Sequence, residues 1–197
     1  MSIQEVLVME KSALRGGYTN LPIQSSLNFR EIMMAMAKPG EIRTLTGGFG
    51  PEPLSISTSN IILTLCDPET KISLLGKYDR EFVRDWIVFH TNATFSLPTE
   101  ADFVIGTGKD IKPLSQFKCG TEEYPDRSAT IILETEKLEN LGVNLRGPGI
   151  KTSIELTIPD RELLHFNQSL YPMGLDFFLC CDDRLSGLPR STSLVET

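Results

Sequence analysis

The order in which helix-like and strand-like patterns follow one another constrains the fold of this chain most. The two kinds of pattern alternate along most of its length. Strands are predicted at 61–66, 127–134, 149–158 and 173–181, and helices at 28–40, 79–95 and 160–170. Interleaving of this kind is typical of layered α/β domains. The 197 residues, 40% of them hydrophobic, suffice for one such domain, so we expect a single α/β domain over 1–197.

A run of apolar residues suggests how the sheet is placed in that domain. Residues 61–66 read IILTLC and are followed by the turn signal Asp67-Pro68. Apolar side chains on both faces are typical of a central strand covered on both sides. We therefore expect a three-layer α/β/α arrangement with a mostly parallel or mixed central sheet.

The first helix is predicted from a capping signal and a hydrophobic stripe. Asn28 is the expected N-cap, with Glu31 three residues later, and Pro39 and Gly40 are expected to end the helix. Apolar side chains recur at helical spacing and predict its buried face. They are Phe29, Ile32, Met33 and Met36.

The second helix carries the first candidate functional histidine. Its predicted buried stripe consists of Phe82, Val83, Trp86, Ile87 and Phe89. His90 falls at the end of this helix, where the helix dipole favours a protonated imidazole. Two interpretations remain open for His90. It either caps the helix, or it acts as a catalytic acid or phosphate contact.

The stretch "NLRGPGIKTSIELTI", residues 144–158, joins a glycine-rich turn to a strand-like alternation. The pattern of a phosphate-binding P-loop is missing here, and so is the dinucleotide-binding fingerprint. Gly147 and Gly149 supply backbone angles that other residues avoid, which is sufficient for a tight turn. With Arg146 in front, the same residues also suit an anion nest. Turn, subunit interface and anion nest remain alternative readings.

Charge and composition exclude several classes of protein. The net charge of −7 argues against a nucleic-acid groove. No stretch approaches the length of a membrane-spanning helix and no secretion signal is evident, so we expect a cytoplasmic protein. Two histidines and four cysteines without metal-ligand spacing predict free thiols and no metal site.

No catalytic constellation can be assembled from residue spacing, so the catalytic residues remain unknown. The residues with functional potential are scattered polar ones on predicted short loops and element ends. We name as candidate anion or subunit contacts Arg30, His90, Asn92, Arg146, Gly147, Gly149, Asp176 and Arg190.

Six short segments nevertheless occur in a familiar order. They are "NFREIMMAMAKPG", "LTLCD", "FHTNA", "LRGPGI", "YPMGLDFFL" and "LPRST". Together they closely resemble the PhnH family, subunits of the bacterial carbon-phosphorus lyase machinery that breaks down phosphonates. The likeness extends from Phe29 to Thr192, which is most of the chain.

The resemblance implies a fold similar to the large domain of pyridoxal-phosphate-dependent transferases, without their cofactor site. We expect no cofactor, because no lysine lies in a recognisable Schiff-base motif. It also implies a homodimer, and a core complex with PhnG, PhnI and PhnJ subunits. Such complexes attach an alkylphosphonate to the ribose of ATP with loss of adenine.

Two hypotheses about the role of the chain follow. In the favoured one it is an accessory scaffold, not catalytic alone, that stabilises and positions the catalytic subunit and buries apolar surface against it. In the alternative it binds a nucleotide or phosphonate and contributes Arg and His residues to a composite site. The alternative requires Arg30, His90, Arg146 and Arg190 to converge on one concavity.

Overall fold

A computed structural model describes residues 15–195, and its secondary structure is mixed. The helices are α1 (Leu21–Ala37), α2 (Ile56–Leu65), α3 (Glu81–Thr91) and α4 (Arg161–Ser169). The strands are β1 (Arg43–Thr44), β2 (Lys71–Leu74), β3 (Thr94–Phe95), β4 (Phe103–Gly106), β5 (Thr130–Glu134), β6 (Val143–Arg146), β7 (Ile154–Leu156), β8 (Asp176–Cys181), β9 (Arg184–Leu188) and β10 (Ser193–Leu194).

The central sheet has seven strands in the order β1-β9-β8-β5-β4-β2-β3. Strands β3, β2, β4, β5 and β8 run parallel, whereas β9 is antiparallel to β8 and β1 is antiparallel to β9. The sheet is therefore mixed, as predicted. From β2 the chain moves outward to β3 and then returns across β2 to β4. The direction of winding thus reverses between β2 and β4.

Alternate residues of the central strands enter two separate hydrophobic cores. Ile132 and Phe178 point to one core, which α1, α2 and α3 cover. Ile131 and Phe177 point to the other, which is covered by α4 and a second sheet in the order β10-β6-β7. One face of the central sheet is thus covered by helices, and the other by one helix together with a small sheet.

The strand predicted at 61–66 is wrong, because residues 61–65 form the second half of helix α2 and Cys66 is its C-cap. Ser55 caps this helix by accepting a hydrogen bond from the Thr58 backbone N–H at 3.1 Å. Ile61 and Ile62 are fully buried between the sheet and the neighbouring helices. Residues 57–62 of this helix are all buried, so the helix has no exposed polar face and its apolar run cannot be distinguished from that of a buried strand.

Helix α1 exists as predicted, but its start and its buried face differ. It begins at Leu21, with Pro22 in the first turn, so Asn28 is not its N-cap. Ile32 is buried as predicted, whereas Phe29 and Met33 are about half exposed.

The reason is that Asn28 itself belongs to the buried face of α1. Its amide nitrogen donates to the Tyr18 hydroxyl at 2.8 Å, the Thr46 carbonyl at 2.8 Å and Asn60 Oδ1 at 3.0 Å. This polar network couples α1 to α2 and turns the helix away from the predicted stripe.

The other predicted elements follow the sequence more closely, whereas β1 to β4, β6, β9 and β10 were not predicted. Helix α3 buries Val83, Trp86 and Ile87, while Phe89 is exposed, contrary to the predicted stripe. Helix α4 and strands β5 and β8 are confirmed, each a few residues shorter than expected. The alternation at 149–158 yields only the short strand β7.

Candidate functional site

A cavity of about 560 Å³ opens at the carboxyl ends of the parallel strands. Its wall includes Lys77 and Tyr78 after β2, Thr107 after β4, Glu134 at the end of β5 and Asp182 after β8. Ligands of open α/β sheets bind at this edge, near the point where the direction of winding reverses. We call this space the carboxyl-edge cavity.

Glu134 is the most deeply placed carboxylate in the carboxyl-edge cavity. Its Oε1 accepts a hydrogen bond from the backbone N–H of Ser55 at 2.9 Å, just before the first turn of α2. Burial raises the pKa of Glu134 above its ordinary value, and hydrogen bonds from Ser55 and Thr58 offset part of this rise. The amino end of α2, where a phosphate would otherwise bind, is thus occupied by the protein's own carboxylate.

Tyr78 lines the same cavity and is only 2% exposed. Within residues 15–195 its hydroxyl makes no hydrogen bond, although Lys77 lies over its ring with 5.2 Å from Nζ to the centroid. Burial raises the pKa of Tyr78 above its ordinary value, and the charge of Glu134 adds to the rise. The hydroxyl is therefore neutral and available to donate or accept one hydrogen bond.

The lining of the carboxyl-edge cavity is predominantly acidic. Glu52, Glu134, Glu136 and Asp182 contribute carboxylates, and Lys77 contributes the one ammonium group among the lining residues. The uncharged lining includes Tyr78 and three apolar residues, Pro53 and Leu54 just before α2 and Ile56 at its start. The cavity therefore favours cationic groups that donate hydrogen bonds and disfavours phosphate oxygens.

Arg30 lies in a second, separate groove of about 490 Å³ between α1 and the edge strand β1. Leu27, Met34 and Arg43 also line this groove. The guanidinium of Arg43 is engaged by Glu31 at 3.3 Å and by Glu41. One of the two arginines in this groove is thus neutralised by the protein itself.

Asp176 and Arg190 are brought together, but as partners of each other. The Arg190 backbone N–H and Nε donate to Asp176 Oδ1 at 2.8 and 3.2 Å. The guanidinium also donates to Ser128 Oγ at 2.6 Å and to the Pro125 carbonyl. With all of these bonds made inside the protein, Arg190 holds the loop before β5 rather than presenting an open anion site.

Arg146, Gly147 and Gly149 form a tight turn. The Ile150 N–H donates to the Gly147 carbonyl at 3.1 Å, and Gly149 has a φ of +87°. A Cβ at Gly149 would lie 2.1 Å from the Ala37 carbonyl oxygen, so the turn packs directly on the end of α1. Arg146 is exposed at the end of β6.

His90 and Asn92 lie at the carboxyl end of α3. The His90 ring packs against Trp86 and Phe89, each at 4.9 Å between ring centroids, and closely against Gly17. Asn92 ends the helix in the left-handed conformation with a φ of 55°. Its backbone N–H donates to the Val88 carbonyl at 2.9 Å.

The eight candidate residues thus fall into four separate places, and none of them lines the carboxyl-edge cavity. The four places are the groove at Arg30, the end of α3, the turn after β6 and the Asp176–Arg190 pair. Sequence reasoning missed Glu134 and Tyr78. A carboxylate directly after the apolar strand residues 131–133 was the available signal for Glu134, because strand ends meet at one edge of a parallel sheet. Tyr78 carries no comparable signal in the sequence.

The part of the chain that the structure describes lacks two further kinds of feature. Over 15–195, no three His, Cys, Asp or Glu side chains are grouped closely enough to hold a metal ion. No helix within the same residues has the length and apolar character needed to cross a membrane.

Comparison with known proteins agrees with the resemblance found in the sequence. The family model described as "Bacterial phosphonate metabolism protein (PhnH)" matches residues 16–195. A protein of Rhizobium meliloti (strain 1021), alpha-D-ribose 1-methylphosphonate 5-triphosphate synthase subunit PhnH, is 36% identical over 191 residues. The match covers 91% of this chain and 94% of that protein. Because both the model and the relative match nearly the whole length, the chain belongs to the PhnH family.

Proposed function

We propose that this chain is an accessory subunit of the assembly that forms alpha-D-ribose 1-methylphosphonate 5-triphosphate from ATP and an alkylphosphonate. The name of the Rhizobium meliloti relative supports this role in phosphonate catabolism. Within the assembly the chain acts as a scaffold, binding a catalytic subunit rather than carrying the reaction alone.

The observation that carries the scaffold role is the outer face of α1. Ile23, Leu27, Phe29 and Met33 are each at least 50% exposed. The helix has one arginine and one glutamate in its 17 residues, so its solvent side is far more apolar than that of an ordinary surface helix. Exposed apolar surface of this kind marks protein interfaces.

The partners follow from the family. We propose a homodimer of the free protein and association with PhnG-, PhnI- and PhnJ-type subunits, in the cytoplasm and without a cofactor of its own. One PhnH-like domain spans 1–197, and its relation to the large domain of pyridoxal-phosphate-dependent transferases remains a prediction of the resemblance.

The alternative is that the chain lends cationic residues to a composite nucleotide or phosphonate site. The groove lined by Arg30 and Arg43 favours it, because arginine recognises phosphoryl oxygens. Against it, Arg43 is neutralised by Glu31 and Glu41, and Arg190 is engaged by Asp176.

Substitution on the α1 face tests the scaffold role. Leu27→Asp should weaken binding to the PhnI-type subunit at least about tenfold, because a charge replaces apolar interface surface. Leu141→Asp is the matched control, since Leu141 is equally exposed but lies between β5 and β6. Calorimetric titration without ATP gives both affinities, and light scattering gives the mass of the free protein. Equal affinities for the two variants would contradict the α1 interface, and a monomer mass at micromolar concentration would contradict the homodimer.

The alternative predicts a different result for Arg30→Ala, which removes an exposed charge beside the groove. If the chain is a scaffold, Arg30→Ala should reduce adenine release by the reconstituted assembly only in proportion to any loss of binding to the other subunits. Normal assembly with adenine release reduced by about tenfold or more would favour the composite site.

A further inference from the structure

The carboxyl-edge cavity has a polarity that the scaffold role of α1 does not explain. We propose that it receives a basic side chain, lysine or arginine, from another subunit of the synthase assembly. This inference rests on the proposed function, because it takes the partner to be a subunit of the same complex. It adds a second contact with the assembly. This contact is made by an acidic cavity, whereas the first is made by the apolar face of α1.

Charge is the first argument for a basic ligand. The carboxylates of Glu52, Glu134, Glu136 and Asp182 come from three separate segments of the chain and surround the cavity, with Lys77 as the cation of the lining. The net charge of −7 adds to this negative potential. An entering ammonium or guanidinium is attracted, whereas the triphosphate of a nucleotide is repelled.

Hydrogen bonding is the second, independent argument. The Tyr78 side chain is almost completely buried in the wall, yet its hydroxyl has no hydrogen-bond partner within the described residues. The hydroxyl oxygen itself is open to the cavity, where water or a ligand completes its hydrogen bonding. Guanidinium and ammonium groups only donate hydrogen bonds, and the Tyr78 oxygen and the carboxylate of Glu134 can accept them.

Glu134 also excludes the usual anionic ligand of this position. In many α/β proteins the amino end of a helix beside the strand ends binds phosphate. Here the Ser55 N–H at the start of α2 already donates to Glu134 at 2.9 Å. A phosphate would have to displace this carboxylate, whereas a cation would find it in place.

The shape and lining of the cavity favour a protein side chain over a small inorganic cation. About 560 Å³ is more than one ion fills and is in the range of pockets for organic groups. Pro53, Leu54 and Ile56 place apolar surface beside the carboxylates. Lysine and arginine combine an apolar stem with a charged head, which matches this lining.

The first experiment measures assembly. The double variant Glu134→Gln/Glu136→Gln removes two charges from the cavity, and Glu122→Gln/Glu123→Gln removes two exposed charges from the loop before β5. Binding of each to the purified PhnG-, PhnI- and PhnJ-type subunits is titrated at two salt concentrations. The cavity variant should bind at least about tenfold more weakly, and the control should stay within about twofold of the native chain. Tyr78→Phe should weaken binding about threefold or more.

A second experiment probes the cavity without any partner. N-acetyl-argininamide and its neutral counterpart N-acetyl-citrullinamide are titrated into the native chain and into both double variants, observed by saturation-transfer NMR. We expect a signal from the arginine probe with the native chain and the loop control, and none with the cavity variant or with the citrulline probe. ATP should not compete.

The outcomes separate this inference from the proposed function. Assembly by the native chain with equal affinity of the cavity variant would overturn the inference and leave the scaffold role intact. Failure of the native chain to bind any of the other subunits would overturn the scaffold role. It would also overturn the inference that another subunit supplies the basic side chain. Absence of arginine-probe binding, or displacement of the probe by ATP, would overturn the cation specificity of the cavity.

Discussion

Arg190 and Asp176 bind each other through the backbone N–H and the guanidinium of Arg190, across the antiparallel pair β8 and β9. Asp176 is the first residue of β8, and Arg190 follows the end of β9. Both side chains are mostly buried, with 14% and 20% exposure. Through Ser128 and the Pro125 carbonyl the same guanidinium also holds the loop that leads into β5.

We expect Arg190→Ala to lower the free energy of unfolding by about 2 to 4 kcal/mol. The substitution leaves the Asp176 carboxylate and loop acceptors without their charged donor. Arg146→Ala is the control, because Arg146 is exposed and the change should stay within about 0.5 kcal/mol. Urea titration followed by circular dichroism measures both. Equal stabilities would mean that the Arg190 network contributes nothing.

The turn that follows β6 provides a second prediction. Gly149→Ala should destabilise the fold by about 2 kcal/mol or more, because φ is +87° and the new methyl group would meet the Ala37 carbonyl. Gly108→Ala is the matched change, at a glycine with no atom within 4 Å of the added Cβ. It should leave the melting temperature unchanged or slightly higher. A Gly149→Ala melting temperature equal to that of the native chain would contradict the observed turn.

The orientation of α1 is tested by two adjacent residues. Ile32→Asp should cost about 3 kcal/mol or more, because Ile32 is buried in the core beneath the helix. Met33→Asp should cost about 1 kcal/mol or less, because Met33 is half exposed. Thermal and urea unfolding of the two variants compare them directly. The reverse order of stability would restore the hydrophobic stripe predicted from the sequence.

Glu134 makes the stability depend on pH. Its folded pKa is raised by burial, so the folded state binds a proton more strongly than the unfolded state. The native chain therefore loses stability as the pH rises from the unfolded value of about 4.3 through the raised folded value. Glu134→Gln removes this loss and should melt at a higher temperature near neutral pH, with a difference that shrinks at lower pH.

The control for this pH series is Glu122→Gln, at an exposed position. Melting temperatures are recorded by circular dichroism in steps of pH for the native chain and both variants. A Glu134→Gln advantage that stays constant across the series, or grows as the pH falls, would show that the carboxylate is not destabilised by burial.

Local sequence patterns predicted those helices and strands whose spacing of apolar residues matches the side on which they are buried. Helix α4 has an aspartate cap, Asp160, before its first turn and a polar outer side, and it is found where expected. Strands β5 and β8 are apolar runs bounded by polar residues, and both are confirmed. The glycine turn after β6 was likewise among the predicted readings, because the φ preference of glycine is a local property.

Local sequence patterns failed where an element is buried on several sides, because apolar and polar residues then show no helical or strand period. The run 61–66 was read as a strand because both a buried strand and a buried helix present apolar residues on every side. The face of α1 was misplaced because Asn28, a polar residue, is buried, and its amide is satisfied there by Asn60, 32 positions away. Long-range partners of this kind leave no mark on the local sequence.

By itself, the sequence determined the α/β class, the family and the positions of α1, α3, α4, β5, β7 and β8, since these depend on local periodicity and on motif order. Only the tertiary structure decided which polar residues meet. It pairs Asp176 with Arg190, separates Arg30, His90 and Arg146, and brings Glu134 to Ser55 from 79 positions away. The physical reason is that the carboxyl ends of parallel strands lie at one edge of the sheet, even when the strands are distant in the chain. The carboxyl-edge cavity therefore depends on the order of the strands in the sheet and not on any one segment.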